Sequence, residues 1–226
     1  TENNALFGYN ATFRYPVRGG IQSLPDAFAG RLEPGVVRTD SPVTAVDLRE
    51  KVAQVKGLGE VRYERLINTL PLNIFLDLTT PLPADVKAAR KDLRWNTVWN
   101  LNVGIDRPAP ADKHWVYYPE KKFPFYRVGF SSNFSPNVAP EGHAALYLEA
   151  ARPGGARVDR DKLEAAMIKG LREAGLLRRS DEISAKIWMP VPVGYVVYDR
   201  ARTPAVETIF RHFAALGVES IGRYGG

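Results

Sequence analysis

The 226-residue chain is 45% apolar and 25% charged, enough for a packed core in one large domain or two small ones. Its net charge of +6 falls in short clusters such as Lys121-Lys122 and Arg178-Arg179, with no basic stripe interleaved with aromatics, which favours a small anionic partner over nucleic acid. There is no cysteine, which excludes disulfides, thiolate metal sites and a cysteine nucleophile, and the three histidines, His114, His143 and His212, are too widely spaced to suggest a metal cluster.

No apolar run is long enough to span a membrane, and the opening Thr-Glu-Asn-Asn carries neither an initiator Met nor a signal segment. The expectation is a soluble, cytoplasmic chain whose ends look like cut points. Asn10 to Gly20 is extended by composition, and Gly19-Gly20 permits a sharp turn or a close approach of backbone to a ligand. Ser23-Leu24-Pro25 predicts a helix start with Ser23 as N-cap, Leu24, Phe28 and Leu32 on one apolar face, and a stop near Gly30 to Gly35. From Val36 the period changes to two. Residues 43–47 and 52–56 predict an antiparallel hairpin, Gly57 and Gly59 the next turn, and Arg62 to Thr69 the last strand of a small meander.

Leu72 to Leu78 and Pro83 to Leu93 predict short helices broken by Pro81 and Pro83. Asn96 to Ile105 predicts a strand with Trp99, Leu101, Val103 and Ile105 on one face and Asn100 and Asn102 on the other. After a loop at Arg107 to Asp112, Trp115 to Tyr118, Phe125 to Ser131 and Ala144 to Ala150 predict strands of one antiparallel sheet. Asp161 and Glu164 suggest a capping box for a helix that turns Leu163, Ala166, Met167, Leu171 and Ala174 inward and ends at Gly175. Ile183 to Val197 is extended but interrupted by Pro190 and Pro192, and a last helix runs from Thr203 to Leu216, capped by Thr203-Pro204. The expected fold class is α+β: a mixed, largely antiparallel sheet with flanking helices, plus a small β-meander.

No Gly-x-Gly-x-x-Gly, Walker or Gly-x-Ser-x-Gly string is present, and no catalytic or metal-ligating side chain stands out. The most unusual stretch is Asp112 to Pro136, two aromatic strands about a turn, with Arg127 following Phe125-Tyr126 where the local pattern demands no charge. A guanidinium beside tyrosine hydroxyls suits an anionic, partly apolar ligand. The competing reading pairs Arg127 with a carboxylate such as Glu120 across the turn and leaves the tyrosines as amphipathic strand residues. The residues alone leave both open.

Phe13-Arg-Tyr-Pro-Val-Arg-Gly-Gly20, the Asp112 to Pro136 stretch and Ile221-Gly-Arg-Tyr-Gly225 resemble, in that order, the middle and later parts of the flavin-dependent UDP-galactopyranose mutases. Those belong to the superfamily of FAD-containing amine oxidases and protoporphyrinogen oxidases. The resemblance implies that an FAD-binding Rossmann motif precedes this stretch of the protein and a second FAD segment follows it. The parent would then bind FAD, while the isolated chain would bind none and be inactive. Implied partners are the missing FAD domain, a nucleotide-sugar or other anionic substrate and, through uncovered faces, further copies of the chain. The implied division is 1–71 associated with the FAD domain, 72–216 as substrate-binding domain and 217–226 returning to the FAD domain.

Carried over by residue, the resemblance places Arg127 on a substrate diphosphate, helped by the hydroxyls of Tyr117 and Tyr195, with Asn10 near the uridine end. Gly19 and Gly20 would approach the flavin, Val43 would touch adenine through its backbone, and Arg223 would lie on the flavin side. Phe134 departs from the pattern, since mutases of this branch usually carry another diphosphate-binding tyrosine there. Two other functions fit the residues: a different flavin oxidase or dehydrogenase of the superfamily, and a non-catalytic module that binds an anionic ligand.

Overall fold

The computed structural model describes residues 14–223. In chain order the elements are α1 (Ser23–Ala29), β1 (Val43–Asp47), β2 (Val52–Val55), β3 (Gly59–Arg62), β4 (Leu66–Asn68), α2 (Leu72–Leu78), β5 (Thr79–Thr80), α3 (Ala84–Asp92), β6 (Trp95–Ile105), β7 (Trp115–Tyr117), β8 (Arg127–Phe130), β9 (Ala144–Pro153), α4 (Arg160–Glu173), β10 (Ile183–Val196), α5 (Arg202–Ala215) and β11 (Val218–Ser220). The class is α+β. A five-stranded sheet runs in the order β10-β6-β9-β8-β7, a four-stranded one in the order β3-β2-β1-β5, and β11 pairs with β4. Parallel pairing occurs between β1 and β5 and between β11 and β4.

The described residues fall into two compact units: 14–36, Trp99–Ala150 and Val158–Met189 form the first, and Val37–Val98, Ala151–Arg157 and 190–223 the second. The expected cuts at residues 71 and 216 do not coincide with them. Strands β6, β9 and β10 each begin in one unit and end in the other, so cuts between elements cannot separate the two.

In the first unit α4 supplies the helical side of the core. Leu163, Met167 and Leu171 are buried together with Leu101, Val103 and Ile105 of β6, Val128 and Phe130 of β8, and Leu146 and Leu148 of β9. Each fully buried side chain of this kind contributes roughly 1.5–3 kcal/mol. Ala166, expected on the inward face, is exposed, and Gly170 is buried instead. The cap also differs from expectation. Asp159 accepts from the Lys162 backbone N–H at 3.1 Å and starts the helix two residues before Asp161. Glu164 is thereby free to accept from the Trp188 indole N–H at 2.7 Å and to pair with Lys186.

Helix α1 forms where the pattern predicts it, yet it buries nothing. Leu24, Phe28 and Leu32 are 53%, 67% and 50% exposed. Ser23 is the first helical residue rather than its cap, and its hydroxyl donates back to the Gly20 carbonyl at 2.9 Å. Strand β10 runs unbroken through Pro190 and Pro192 because it is the edge of its sheet, where a missing N–H disrupts no ladder.

The second unit contains the meander. Asp47 accepts from the backbone N–H groups of Arg49 and Glu50 at 2.9 Å and closes the β1–β2 hairpin. The third meander strand is β3, not Arg62 to Thr69, because the turn through Gly57 returns the chain at once and sets Gly59 opposite Val55. Residues 66–68 pair instead with β11, and buried Asn68 ties the two by donating to the Ser220 hydroxyl at 2.9 Å. The core here gathers Val46, Leu48, Phe75, Leu76, Ile209 and Phe213, with the Phe75 and Phe213 rings edge to face at 5.4 Å. Helix α5 starts at Arg202, with Ala201 rather than Thr203 at its N-cap position, and Asp199 just before it accepts from the N–H groups of Ala201 and Arg202 at 3.1 Å.

Among the described residues no helix is long and apolar enough to cross a membrane, and no group of His, Asp and Glu is arranged to hold a metal ion.

Candidate anion-binding site

Strand register assembles the site. In β7, β8 and β9, Tyr117 lies opposite Arg127, and Arg127 opposite Glu149, so the three form one row across three strands. The next row on the same face holds Trp115, Gly129 and Tyr147. Alternation sends Val128, Phe130, Leu146 and Leu148 to the opposite face, where they are fully buried. The core thus holds the strands from behind, and the polar row stands on the face they leave.

Gly129 is needed for close approach. A Cβ there would lie 2.0 Å from the Tyr147 ring, so only glycine lets that ring fold across β8. The Arg127 guanidinium consequently sits among three tyrosines, with ring centroids 5.8 Å (Tyr117), 6.0 Å (Tyr126) and 5.7 Å (Tyr147) from its central carbon.

The carboxylate Arg127 meets is Glu149 rather than Glu120. Arg127 Nε donates to Glu149 Oε2 at 2.9 Å and Nη2 donates to Oε1 at 2.7 Å, a bidentate pair. The Tyr126 hydroxyl donates to the same carboxylate at 2.5 Å. Nη1 is directed to the Tyr117 hydroxyl oxygen at 3.5 Å. Burial works against the arginine's charge, but the hydrogen bonds and charge of Glu149, aided by Tyr147 and Tyr117, outweigh it and hold its pKa above the ordinary value. The guanidinium is charged at every accessible pH.

The other expected positions divide between the two units. Gly19 and Gly20 are consecutive left-handed residues, with φ of 77° and 62°, in the first unit. The Val17 carbonyl just before them accepts from the Ser135 hydroxyl at 2.6 Å and from the Asn137 amide at 2.8 Å. Phe134 packs its ring 5.2 Å from Tyr15 and 5.0 Å from His114. The glycine turn and the segment following β8 are thus tied together. Tyr195 belongs to the second unit, where the Arg223 guanidinium lies 5.1 Å from its ring. Val43 opens β1 opposite Val55 and is 38% exposed. Asn10 lies outside the described residues.

For a flavin, the residues fit in part. Two successive left-handed glycines present backbone without side chains, which suits a flat ring at close range. The cradle for a pyrophosphate, a glycine-rich turn between a strand and a helix N-terminus, does not occur among the described residues. Sequence reasoning missed Glu149, Tyr126, Tyr147 and the need for Gly129. The available signal was a carboxylate in the otherwise apolar strand Ala144 to Ala150.

Solved structures resemble the chain over most of its length. A reduced UDP-galactopyranose mutase matches at 26% identity with a TM-score of 0.89, over 97% of this chain and 49% of that one. A putative protoporphyrinogen oxidase from Exiguobacterium sp. 255-15 matches at 16% identity and TM-score 0.67, over 88% of this chain and 45% of that one. An engineered putrescine oxidase matches at 16% identity and TM-score 0.53, over 75% and 38% respectively. The two lower identities speak to fold alone. The chain spans about half the length of the mutase it matches. The family profile for flavin containing amine oxidoreductases matches residues 1–186. With more than half its length matched, the chain belongs to the flavin-containing amine oxidoreductase family.

Proposed function

We propose that this chain is the substrate-gripping part of an FAD-dependent UDP-sugar mutase. The carrying observation is the likeness to a UDP-galactopyranose mutase, which extends over 97% of the chain at a TM-score of 0.89. Arg127 and Tyr117 would hold the diphosphate, and the developing charge of a departing UDP would be met by fixed donors without proton transfer. Tyr195 would add a hydroxyl, Asn10 would serve the uridine end, and a cytoplasmic nucleotide-sugar would be the substrate. Gly19, Gly20, Val43 and Arg223 would face FAD held largely by the missing FAD domain. Bound FAD supplies the covalent and redox chemistry, and the residues described here orient the substrate.

The test uses the full-length protein with reduced flavin. We expect UDP-galactopyranose to rearrange without net oxidation, and Arg127→Ala to weaken UDP binding by calorimetry about tenfold or more. Unchanged UDP affinity in that variant would sink the proposal. A second reading, a flavin oxidase acting on another substrate, is supported by Phe134, which brings an apolar ring among Tyr15 and His114 where a hydroxyl would serve a diphosphate. Oxidation of an amine with release of hydrogen peroxide, and no rearrangement of UDP-galactopyranose, would favour it.

A further inference from the structure

We propose that Glu149 is a positioning residue: it locks Arg127 so that a ligand's phosphate meets the Nη1 edge beside the Tyr117 hydroxyl, as a directional donor rather than a loose positive charge. The inference rests on the diphosphate reading above and says how that site selects.

Glu149 occupies Nε and Nη2, at 2.9 and 2.7 Å, and is itself held by Tyr126. It is 8% exposed, so it is not a casual surface partner. The pairing is enforced from both sides, because Arg127 and Glu149 are directly opposed in the β8–β9 register and Tyr147 crosses at Gly129 to cover the guanidinium. What this leaves toward a ligand is Nη1, whose contact with Tyr117 is long at 3.5 Å, and Tyr117 is 58% exposed. Tyr117 accepts from Nη1, so its own O–H is available to donate in the same direction.

Two consequences follow from charge and order. The pair is neutral overall, so an incoming phosphate gains little long-range attraction and depends on short hydrogen bonds of fixed direction. The long arginine side chain is also ordered in folding rather than at binding, which removes that cost from the binding step. A site of this kind discriminates by phosphate geometry and gives simple inorganic anions little hold.

The experiment is UDP calorimetry on the full-length protein and its variants, with melting temperatures recorded and the arginine side-chain nitrogens followed by NMR. Glu149→Gln makes the site more positive but replaces one acceptor with a donor facing Arg127. We expect UDP affinity to fall about tenfold or more. Tyr126→Phe, which leaves every charge in place, should weaken UDP by about threefold. The Arg127 Nε–H signal, sharp in the parent protein, should broaden in Glu149→Gln even before UDP is added. UDP binding by Glu149→Gln as tight as the parent's or tighter would mean that the carboxylate merely competes with the ligand, and the inference would be overturned. If Glu149→Gln fails to fold, Tyr126→Phe decides by the same criterion. If the parent binds UDP and loses it in Arg127→Ala while both other variants bind normally, only the positioning role falls. If the parent binds no UDP, the diphosphate reading falls and this inference with it.

Discussion

Two arginines of the first unit each meet a carboxylate at 2.7 Å, Arg107 with Asp181 and Arg127 with Glu149, and the groups around them differ in kind. Around Arg107 the remaining partners are backbone. Its Nη2 donates to the Leu176 carbonyl at 3.0 Å, and Asp181 also accepts from the Arg178 N–H at 2.7 Å. That pair closes a turn onto the end of β6. Around Arg127 the remaining partners are side chains, three tyrosine rings, and one edge of the guanidinium reaches only a distant hydroxyl. The closed pair is accounted for by architecture alone, and the open edge is what the proposed anion site would use.

Replacing each pair with methionines should separate the two roles most strongly. Arg107→Met with Asp181→Met strands the Leu176 carbonyl and the Arg178 N–H, so we expect a marked fall in melting temperature with UDP affinity unchanged in protein that remains folded. Arg127→Met with Glu149→Met removes both charges and leaves few backbone groups wanting. Stability should then stay within about 1 kcal/mol of the parent while UDP binding disappears. Equal losses of stability in the two double variants would show that the two pairs do not differ in role.

Gly129→Ala probes the tyrosine ring alone. Its Cβ would meet Tyr147 at 2.0 Å, and that ring must swing off β8. We expect about 1–3 kcal/mol of destabilisation, measured by chemical denaturation, and weaker UDP binding through a loosened Arg127. If the alanine variant melts and binds like the parent, the close packing of Tyr147 does not matter to either property.

How much of this was legible in the sequence depends on how far apart the interacting residues lie. Tyr117 and Arg127 sit in one hairpin-like stretch, and both the aromatic pattern and the intrusive charge are visible there. Glu149 is 22 residues further along, and only the β8–β9 register brings it opposite Arg127. Periodicity located the α4 core face through Leu163, Met167 and Leu171. The same periodicity in α1 located a helix whose apolar face is exposed, because a local pattern shows that a face is apolar and not what covers it. Pro190 and Pro192 read as breaks for a related reason: edge position, which makes them harmless, is a property of the sheet and not of the strand. The α4 cap slipped by two residues because Asp159 took the capping role expected of Asp161.

The smallest expected effect concerns pH. Desolvation works against the Asp181 carboxylate, but the Arg178 N–H and the Arg107 guanidinium hold its pKa below the usual value. A depressed carboxylate contributes stability that is present above its unfolded pKa, about 3.9, and is lost as pH falls through the lower folded value. The Arg127 guanidinium, whose raised pKa keeps it charged through the whole range, adds no slope there. Between pH 5 and about pH 2 the unfolding free energy should therefore decline, and Asp181→Asn should flatten part of that decline while lowering stability at neutral pH. Glu164, depressed by the hydrogen bonds of Lys186 and Trp188, contributes in the same direction and should keep some slope in the variant. Denaturant titrations at successive pH values measure this directly. An Asp181→Asn profile parallel to the parent's would show that the closed pair stabilises the fold through its geometry without coupling to the proton.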